Sequence, residues 1–129
     1  MSLTPLSMVQ AVEAYVAAFD RGDAEAVADL YALDAEVRDP ADAEPLRGRE
    51  AILAFYQQSM ATGARLRLDG PVRTAGRVAA FAFGVHLDLP QGEGRIDVID
   101  TFEFNPDGRI ARMTAYWGPL NMHGFLEQA

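Results

Sequence analysis

One aspartate interrupts the apolar face of a strand-like segment, RIDVIDTFEF, at residues 95–104. Side chains alternate between two faces along a strand, so Asp100 shares a face with the apolar residues Ile96, Val98, Phe102 and Phe104. Arg95 lies on the other face of the strand, so this segment has no arginine on the same face that could pair with Asp100. An unpaired carboxylate in an apolar interior costs on the order of several kcal/mol, so we expect Asp100 to be hydrogen-bonded or protonated.

Further polar residues fall on or beside apolar faces: Tyr15, Tyr31, Tyr56 and Asp39. Taken singly, each has an ordinary structural explanation. A tyrosine on the apolar face of a helix is commonly a core residue with its hydroxyl paired nearby. Asp39 precedes Pro40, and Asp-Pro often opens a turn.

Together these residues indicate a specific chemistry. A carboxylic acid kept neutral by apolar surroundings can donate a hydrogen bond, and a tyrosine hydroxyl can donate another. Two such donors converging in a dry pocket form an oxyanion hole. A second carboxyl group, ionised and nearer to solvent, could remove a proton from carbon. The combination predicts enolisation of a ketone.

Composition excludes several other classes of protein. The chain has 129 residues, half of them hydrophobic, which predicts one domain over residues 1–129. It contains no apolar run long enough to span a membrane and no secretory signal pattern, so we expect a cytoplasmic protein. The net charge of −8 disfavours nucleic-acid binding. Cysteine is absent, and His86 and His123 have no suitable carboxylate pattern, so no metal site is predicted.

Hydrophobic spacing predicts helices in the first half of the chain and strands in the second. The helices begin after Thr4, Asp23 and Gly48, and the second is predicted to run over residues 24–32. A short strand, AEVRDP, ends at Pro40. Later strands are RLRLDGPVRTA (one or two), RVAAFAFGVHLDL, RIDVIDTFEF and RIARMTAYW, with turns at PQGEG and NPDG. This order predicts an α+β fold: about three helices on a strongly curved antiparallel sheet, forming a cone with an apolar interior.

The chain resembles the ketosteroid isomerases, within the NTF2-like or SnoaL-like superfamily, from about residue 8 to residue 123. The matching segments are YVAAFDRGD, LYALDAEVRDP, GREAILAFYQQS, FAFGV, IDVIDTFEFNPDGRI and YWGPLN. A carboxylic acid held neutral to donate a hydrogen bond is a known device of this family, so the resemblance itself implies it.

The resemblance implies a role for each of the polar residues. Tyr15 and Asp100 match the two donors to the carbonyl oxygen of the substrate, and Asp39 matches the base that moves a proton between two carbons. Tyr31 and Tyr56 match tyrosines that support Tyr15 through hydrogen bonds. The apolar wall of the substrate pocket is matched by Phe81, Phe83 and Trp117. We assign Met113 to the same wall, because it shares an apolar strand face with Trp117.

The activity implied is a cofactor-free steroid delta-isomerase acting on an apolar ring ketone, in a homodimer formed through the outer face of the sheet. Other members of the superfamily carry out different reactions, so a polyketide-cyclase-like aldol reaction and a non-catalytic binder remain alternatives. Epoxide hydrolysis would need an Asp–Arg–Asp set, and Arg38 is expected to point away from its neighbour Asp39. Asp42 and Glu44, in the loop after the predicted base, would disfavour an anionic intermediate unless they face solvent.

Overall fold

A computed structural model describes residues 3–128 of the chain. Within that range it has three α-helices: α1 (Pro5–Asp20), α2 (Ala24–Ala28) and α3 (Arg49–Ala61). Thr4 caps α1, because its hydroxyl accepts a hydrogen bond from the backbone N–H of Ser7 at 3.0 Å and the Ser7 hydroxyl accepts one from Thr4 at 2.9 Å. Gly22, with φ at +74°, follows the end of this helix, as the sequence predicts.

The helices cover one face of a mixed sheet of eight strands, counted over the described residues. The strands are β1 (Tyr31–Arg38), β2 (Leu46–Arg47), β3 (Arg65–Leu68), β4 (Arg73–Ala75), β5 (Val78–Leu89), β6 (Gly92–Phe104), β7 (Ile110–Tyr116) and β8 (Met122–Gly124). The main order is β2-β1-β7-β6-β5-β3, with β4 on β5 and β8 on β6. All pairs are antiparallel except β1 with β7. The predicted α+β fold is confirmed.

The core lies between the helices and the covered face of the sheet, and strand β6 shows how the sequence defines that face. Val98, Phe102 and Phe104 are buried, whereas Ile99 between them is 50% exposed. Asp100 is in phase with the buried set and is itself only 1% exposed. The period-two pattern therefore predicted the burial of this carboxyl group correctly.

The second helix is shorter than the sequence predicted. It ends at Ala28 instead of residue 32, and Tyr31 opens strand β1. The Leu30 carbonyl accepts a hydrogen bond from the Ile110 backbone N–H at 2.9 Å, and Tyr31 pairs with Ile110 in the parallel ladder. Pairing with β7 overrides the short helical pattern, so the Tyr31 phenol enters the core from the sheet.

A bulge in the last hairpin reverses one predicted side-chain direction. Strict alternation along the predicted strand RIARMTAYW puts Ile110 on the outer face with Arg112, but Ile110 is buried. Phe104 pairs with Ile110 while Glu103 pairs with Arg112, so one extra residue lies in β7. That insertion shifts the phase of the strand and turns Ile110 into the core.

Two short strands and one turn also differ from the prediction. β2 lies in the expected loop after Asp39, and β8 lies beyond RIARMTAYW, the last strand that the sequence predicts. Strands β5 and β6 pair up to Leu89 and Gly92, so the predicted five-residue turn PQGEG is reduced to two residues. None of the described helices is both long enough and apolar enough to span a bilayer.

Candidate active site

Three tyrosine hydroxyls form a buried hydrogen-bond chain that ends at Tyr15. The Tyr56 hydroxyl from α3 donates to the Tyr15 oxygen at 3.3 Å and lies 2.6 Å from the Tyr31 hydroxyl. Because a phenol has one hydrogen to donate, Tyr31 is the donor to Tyr56. Tyr15, on α1, therefore keeps its own hydrogen for another acceptor. Burial raises the pKa of all three phenols well above the usual value, which keeps them neutral.

Asp100 lies on β6 between two apolar neighbours in the sheet, Phe81 on β5 and Ala115 on β7. Both of its carboxyl oxygens are buried, and neither has a hydrogen-bond partner among residues 3–128. Burial, and then the nearby charge of Asp39, raise the pKa of Asp100 well above the usual aspartate value. The structure thus favours a protonated acid, which is a hydrogen-bond donor.

Asp39 and Trp117 meet because they follow the only parallel pair among the described strands. Asp39 comes directly after β1 and Trp117 directly after β7, so both side chains leave the sheet at the same end. The Trp117 indole N–H donates to Asp39 Oδ1 at 2.7 Å. Burial raises the pKa of Asp39, and the hydrogen bond from Trp117 opposes that rise.

A pocket of about 300 Å³ brings the predicted donors and the predicted base together. Tyr15, Asp39 and Asp100 all line it, as do Tyr56, Phe83 and Trp117. Apolar side chains make up most of the remaining wall: Phe19, Phe55, Ala64, Leu66, Val85, Leu87, Ile96 and Val98. A concave, mostly apolar site with a few converging polar groups is typical of small-molecule binding.

Phe81 and Met113 do not line this pocket, in contrast to the wall assignment made from the sequence. They are only 2% and 1% exposed. Phe81 lies behind the wall: its ring stacks on that of Phe83 with 5.4 Å between ring centroids and meets Phe102 edge-to-face at 5.0 Å. Met113 is the sheet neighbour of Phe102. Strand phase predicted the correct face, but it could not tell the depth of a side chain within the core. Tyr31 is likewise behind the pocket and reaches it through Tyr56.

Sequence reasoning missed several lining residues on helix α3 and in the turn after it. Phe55, Ser59 and Thr62 line the pocket beside Tyr56. Their spacing of four and three residues places them on one face of a helix. This spacing was the signal that could have identified them, once Tyr56 had been assigned to the site.

The charged residues near the base lie outside the pocket. Arg38 faces the outer side of the sheet, where its guanidinium lies 3.9 Å from Glu36. Asp42 and Glu44 are exposed and do not line the pocket. Of the described residues, no arginine lines it, and no three His, Asp or Glu side chains are grouped closely enough to hold a metal ion.

Comparisons with known proteins agree with this architecture. The family model described as SnoaL-like domain matches residues 12–113. A steroid Delta-isomerase from Nocardioides simplex is 38% identical over 113 residues, which cover 87% of this chain and 90% of that protein. Among solved structures, SalBIII, described as an epoxide hydrolase/cyclase-like enzyme in pyran ring formation in the polyether salinomycin, has a TM-score of 0.86 at 20% identity. That match covers 93% of this chain and 97% of the other, and at this identity it bears on the fold alone. The chain therefore belongs to the SnoaL-like family, within the NTF2-like fold, and is a relative of a steroid Delta-isomerase.

Proposed function

We propose that the protein is a cofactor-free isomerase that moves a β,γ carbon–carbon double bond into conjugation with a ketone. The substrate is a flat, apolar ring ketone of the 3-oxosteroid type. One observation carries the proposal: the Tyr15 hydroxyl, the buried Asp100 carboxyl group and a separate carboxyl group, Asp39, line the same apolar pocket. The 38% identity to a steroid Delta-isomerase supports the same reading.

In the proposed reaction the ketone oxygen accepts hydrogen bonds from Tyr15 and Asp100. The Asp39 carboxylate removes a proton from the carbon between the ketone and the alkene, and the electron pair of that bond moves to the oxygen. The resulting dienolate is stabilised by both donors, since hydrogen bonds to a developing oxyanion strengthen in a water-poor site. Asp39 then returns the proton to the far carbon of the former alkene, which restores the ketone and leaves a conjugated enone.

The environments of the two carboxyl groups support this division of roles. Asp100 has no hydrogen-bond partner among the described residues, and burial raises its pKa well above the usual value. Asp39 receives a hydrogen bond from Trp117, which favours its charged form against the effect of burial. A pair of carboxyl groups with separated pKa values provides an acid and a base at the same pH.

A spectroscopic assay tests the proposal directly. The protein is mixed with a β,γ-unsaturated ketosteroid, and the ultraviolet absorbance of the conjugated enone is followed against a protein-free control. We expect a rate of conjugation far above that control. An unchanged rate, together with tight binding of a phenolic steroid, would instead identify a binding protein.

The same base and donors would also serve an aldol cyclisation, which likewise passes through an enolate. Epoxide hydrolysis fits less well, because Arg38 lies on the outer side of the sheet and cannot join Asp39 in holding a water molecule. If the protein closed a ring in an open-chain diketone and did not convert the ketosteroid to its conjugated enone, an aldol cyclase would be favoured over an isomerase.

Replacing Trp117 with phenylalanine is expected to shift the acidic limb of the pH–activity profile to higher pH. The proposed base must be ionised, so kcat/KM falls as the pH decreases through the pKa of Asp39 in the free enzyme. The Trp117 hydrogen bond lowers this pKa, so its removal raises the pKa and moves the limb upward. Profiles of both enzymes would be recorded with the same enone, and coincident limbs would contradict the assignment of Asp39 as the base.

We further propose a homodimer formed through the outer face of the sheet. Ile99 on β6 and Tyr116 on β7 are neighbours in register on that face and are 50% and 53% exposed. Light scattering should give about twice the mass of the 14.0 kDa chain, and Ile99→Glu should return it to that of one chain. A wild-type protein with the mass of a single chain would contradict this assembly.

A further inference from the structure

Two hydroxyl groups stand out in the otherwise apolar wall away from the reacting end of the pocket. Ser59, in the last turn of α3, and Thr62, just after that helix, both line the pocket. Ser59 is half-buried and Thr62 is exposed, whereas Tyr15, Tyr56 and Asp100 are buried. Among the described residues that line the pocket, Thr62 is the only exposed one, which places it at the mouth, with Ser59 beside it in the chain and the buried oxyanion donors at the deep end.

Both mouth hydroxyls have already used their hydrogens within the protein. The Ser59 hydroxyl donates to the Phe55 carbonyl oxygen at 3.0 Å, one helical turn back. The Thr62 hydroxyl donates to the Ser59 carbonyl oxygen at 2.7 Å and also accepts from the Ala64 backbone N–H at 3.2 Å. A hydroxyl oxygen has two lone pairs, so each group keeps acceptor capacity but has no hydrogen left to donate.

The spacing along α3 separates this mouth from the reacting end. Thr62 follows Tyr56 by six residues, which corresponds to about 9 Å along a helix axis. Helical side chains lean toward the N-terminus of their helix, so the long Tyr56 side chain carries its hydroxyl further from Thr62. A fused-ring ketone bound against Tyr15 and Asp100 would therefore direct its far end toward the two mouth hydroxyls.

We propose that Ser59 and Thr62 form an acceptor-only subsite that selects ring ketones carrying a hydroxyl group, and not a second carbonyl, at the end far from the reacting ketone. This inference rests on the proposed function for the orientation of the ligand. A distal hydroxyl donates to the Ser59 or Thr62 oxygen. A distal carbonyl has no hydrogen to donate, so it gains no hydrogen bond from either hydroxyl oxygen.

A pair of phenolic steroids tests the subsite without requiring turnover. Estradiol and estrone share the phenol that would occupy the oxyanion hole and differ at the far ring, where estradiol has a hydroxyl and estrone a ketone. We expect the wild-type protein to bind estradiol about two- to tenfold more tightly, the range of one net hydrogen bond. Ser59→Ala and Thr62→Val should each reduce this ratio, and the double variant should bring it close to one. Calorimetric titration measures all of these affinities.

Gln58→Ala is the matched control, because Gln58 precedes Ser59 in the same helix, is exposed and does not line the pocket. Its affinity ratio should equal that of the wild type. Equal binding of the two steroids by the wild type, or a ratio that survives the double variant, would overturn the subsite and leave the isomerase proposal standing. A retained preference without any enone conversion would reject the isomerase and keep the subsite. If neither steroid bound, both proposals would be rejected.

Discussion

Replacing Asp39 with asparagine is expected to lower kcat for a β,γ-unsaturated ketosteroid by about 10⁴-fold, the upper end for loss of a general base. Asparagine has nearly the shape of aspartate, and its amide oxygen can still accept the hydrogen bond that Trp117 donates at 2.7 Å. The pocket should therefore keep its form and its affinity. The variant loses the ability to take a proton from carbon. No second carboxylate is expected to take over, because burial raises the pKa of Asp100, the other carboxyl group that lines the pocket, well above the usual value.

Asp42→Asn makes the same chemical change three residues away and is the control for the loss of charge. Asp42 is exposed and does not line the pocket, so this variant should retain wild-type turnover. Initial rates would be compared at saturating enone, with phenolic-steroid binding to check that each pocket is intact. An Asp39→Asn enzyme with a rate comparable to that of the wild type would remove Asp39 from the mechanism.

The sequence predicted those parts of the fold in which one periodicity runs over many residues. Helix α3 begins at Arg49, directly after Gly48, as the sequence predicts, and its apolar spacing continues to Ala61, where the helix ends. Strand β6 buries Val98, Asp100 and Phe102 on one face, as alternation requires. Long patterns succeed because each residue independently supports the same face, and one misplaced residue does not change the result.

Predictions for short segments failed because pairing with other strands decides their structure. Tyr31 follows a five-residue helix by helical spacing, yet the parallel ladder with β7 draws it into a strand. Ile110 faces the core because β7 contains one extra residue, and the alternation of apolar and polar residues in the sequence does not indicate such a bulge. The strand residue that pairs with Tyr31 lies about 80 residues away along the chain, where a local pattern holds no information. The bulge lies in the hairpin of β6 and β7, and it depends on how those two strands pair.

For the candidate site, the sequence supplied the groups but not their contacts. The phase of β6 identified Asp100, and the family resemblance related it to Tyr15 and Asp39. The hydrogen bond from Trp117 to Asp39 joins residues 78 positions apart, and it depends on the parallel pairing of β1 with β7, which was not predicted. The depth of Phe81 and Met113 was also inaccessible, since phase gives a face and not a distance from the pocket.

Asp100 should cost the protein stability at neutral pH while it supports catalysis. Its pKa is raised in the folded state, so the folded protein binds this proton more tightly than the unfolded chain does. The stabilisation from the protonated form is fully present below the unfolded pKa, near 3.9 for aspartate, and is lost as the pH rises through the folded pKa. Asp97, on the same strand, contributes to stability with the opposite dependence on pH. The hydrogen bond from Arg95, at 2.8 Å, lowers the pKa of Asp97, so its contribution to stability is lost as the pH falls.

Asp100→Ala is accordingly expected to reduce kcat by about 10²- to 10³-fold, the usual effect of removing one oxyanion donor. Asp100→Asn keeps an N–H donor and should lose less activity. Its free energy of unfolding at pH 7 should exceed that of the wild type, because position 100 no longer buries an ionisable carboxyl group. Asp97→Asn, the control, should lower stability at pH 7. Urea unfolding at pH 4 and pH 7 and enone turnover measure the two effects. If Asp100→Asn unfolded with the same pH dependence as the wild type, Asp100 would not be the buried acid, and its role as a neutral donor would be lost with it.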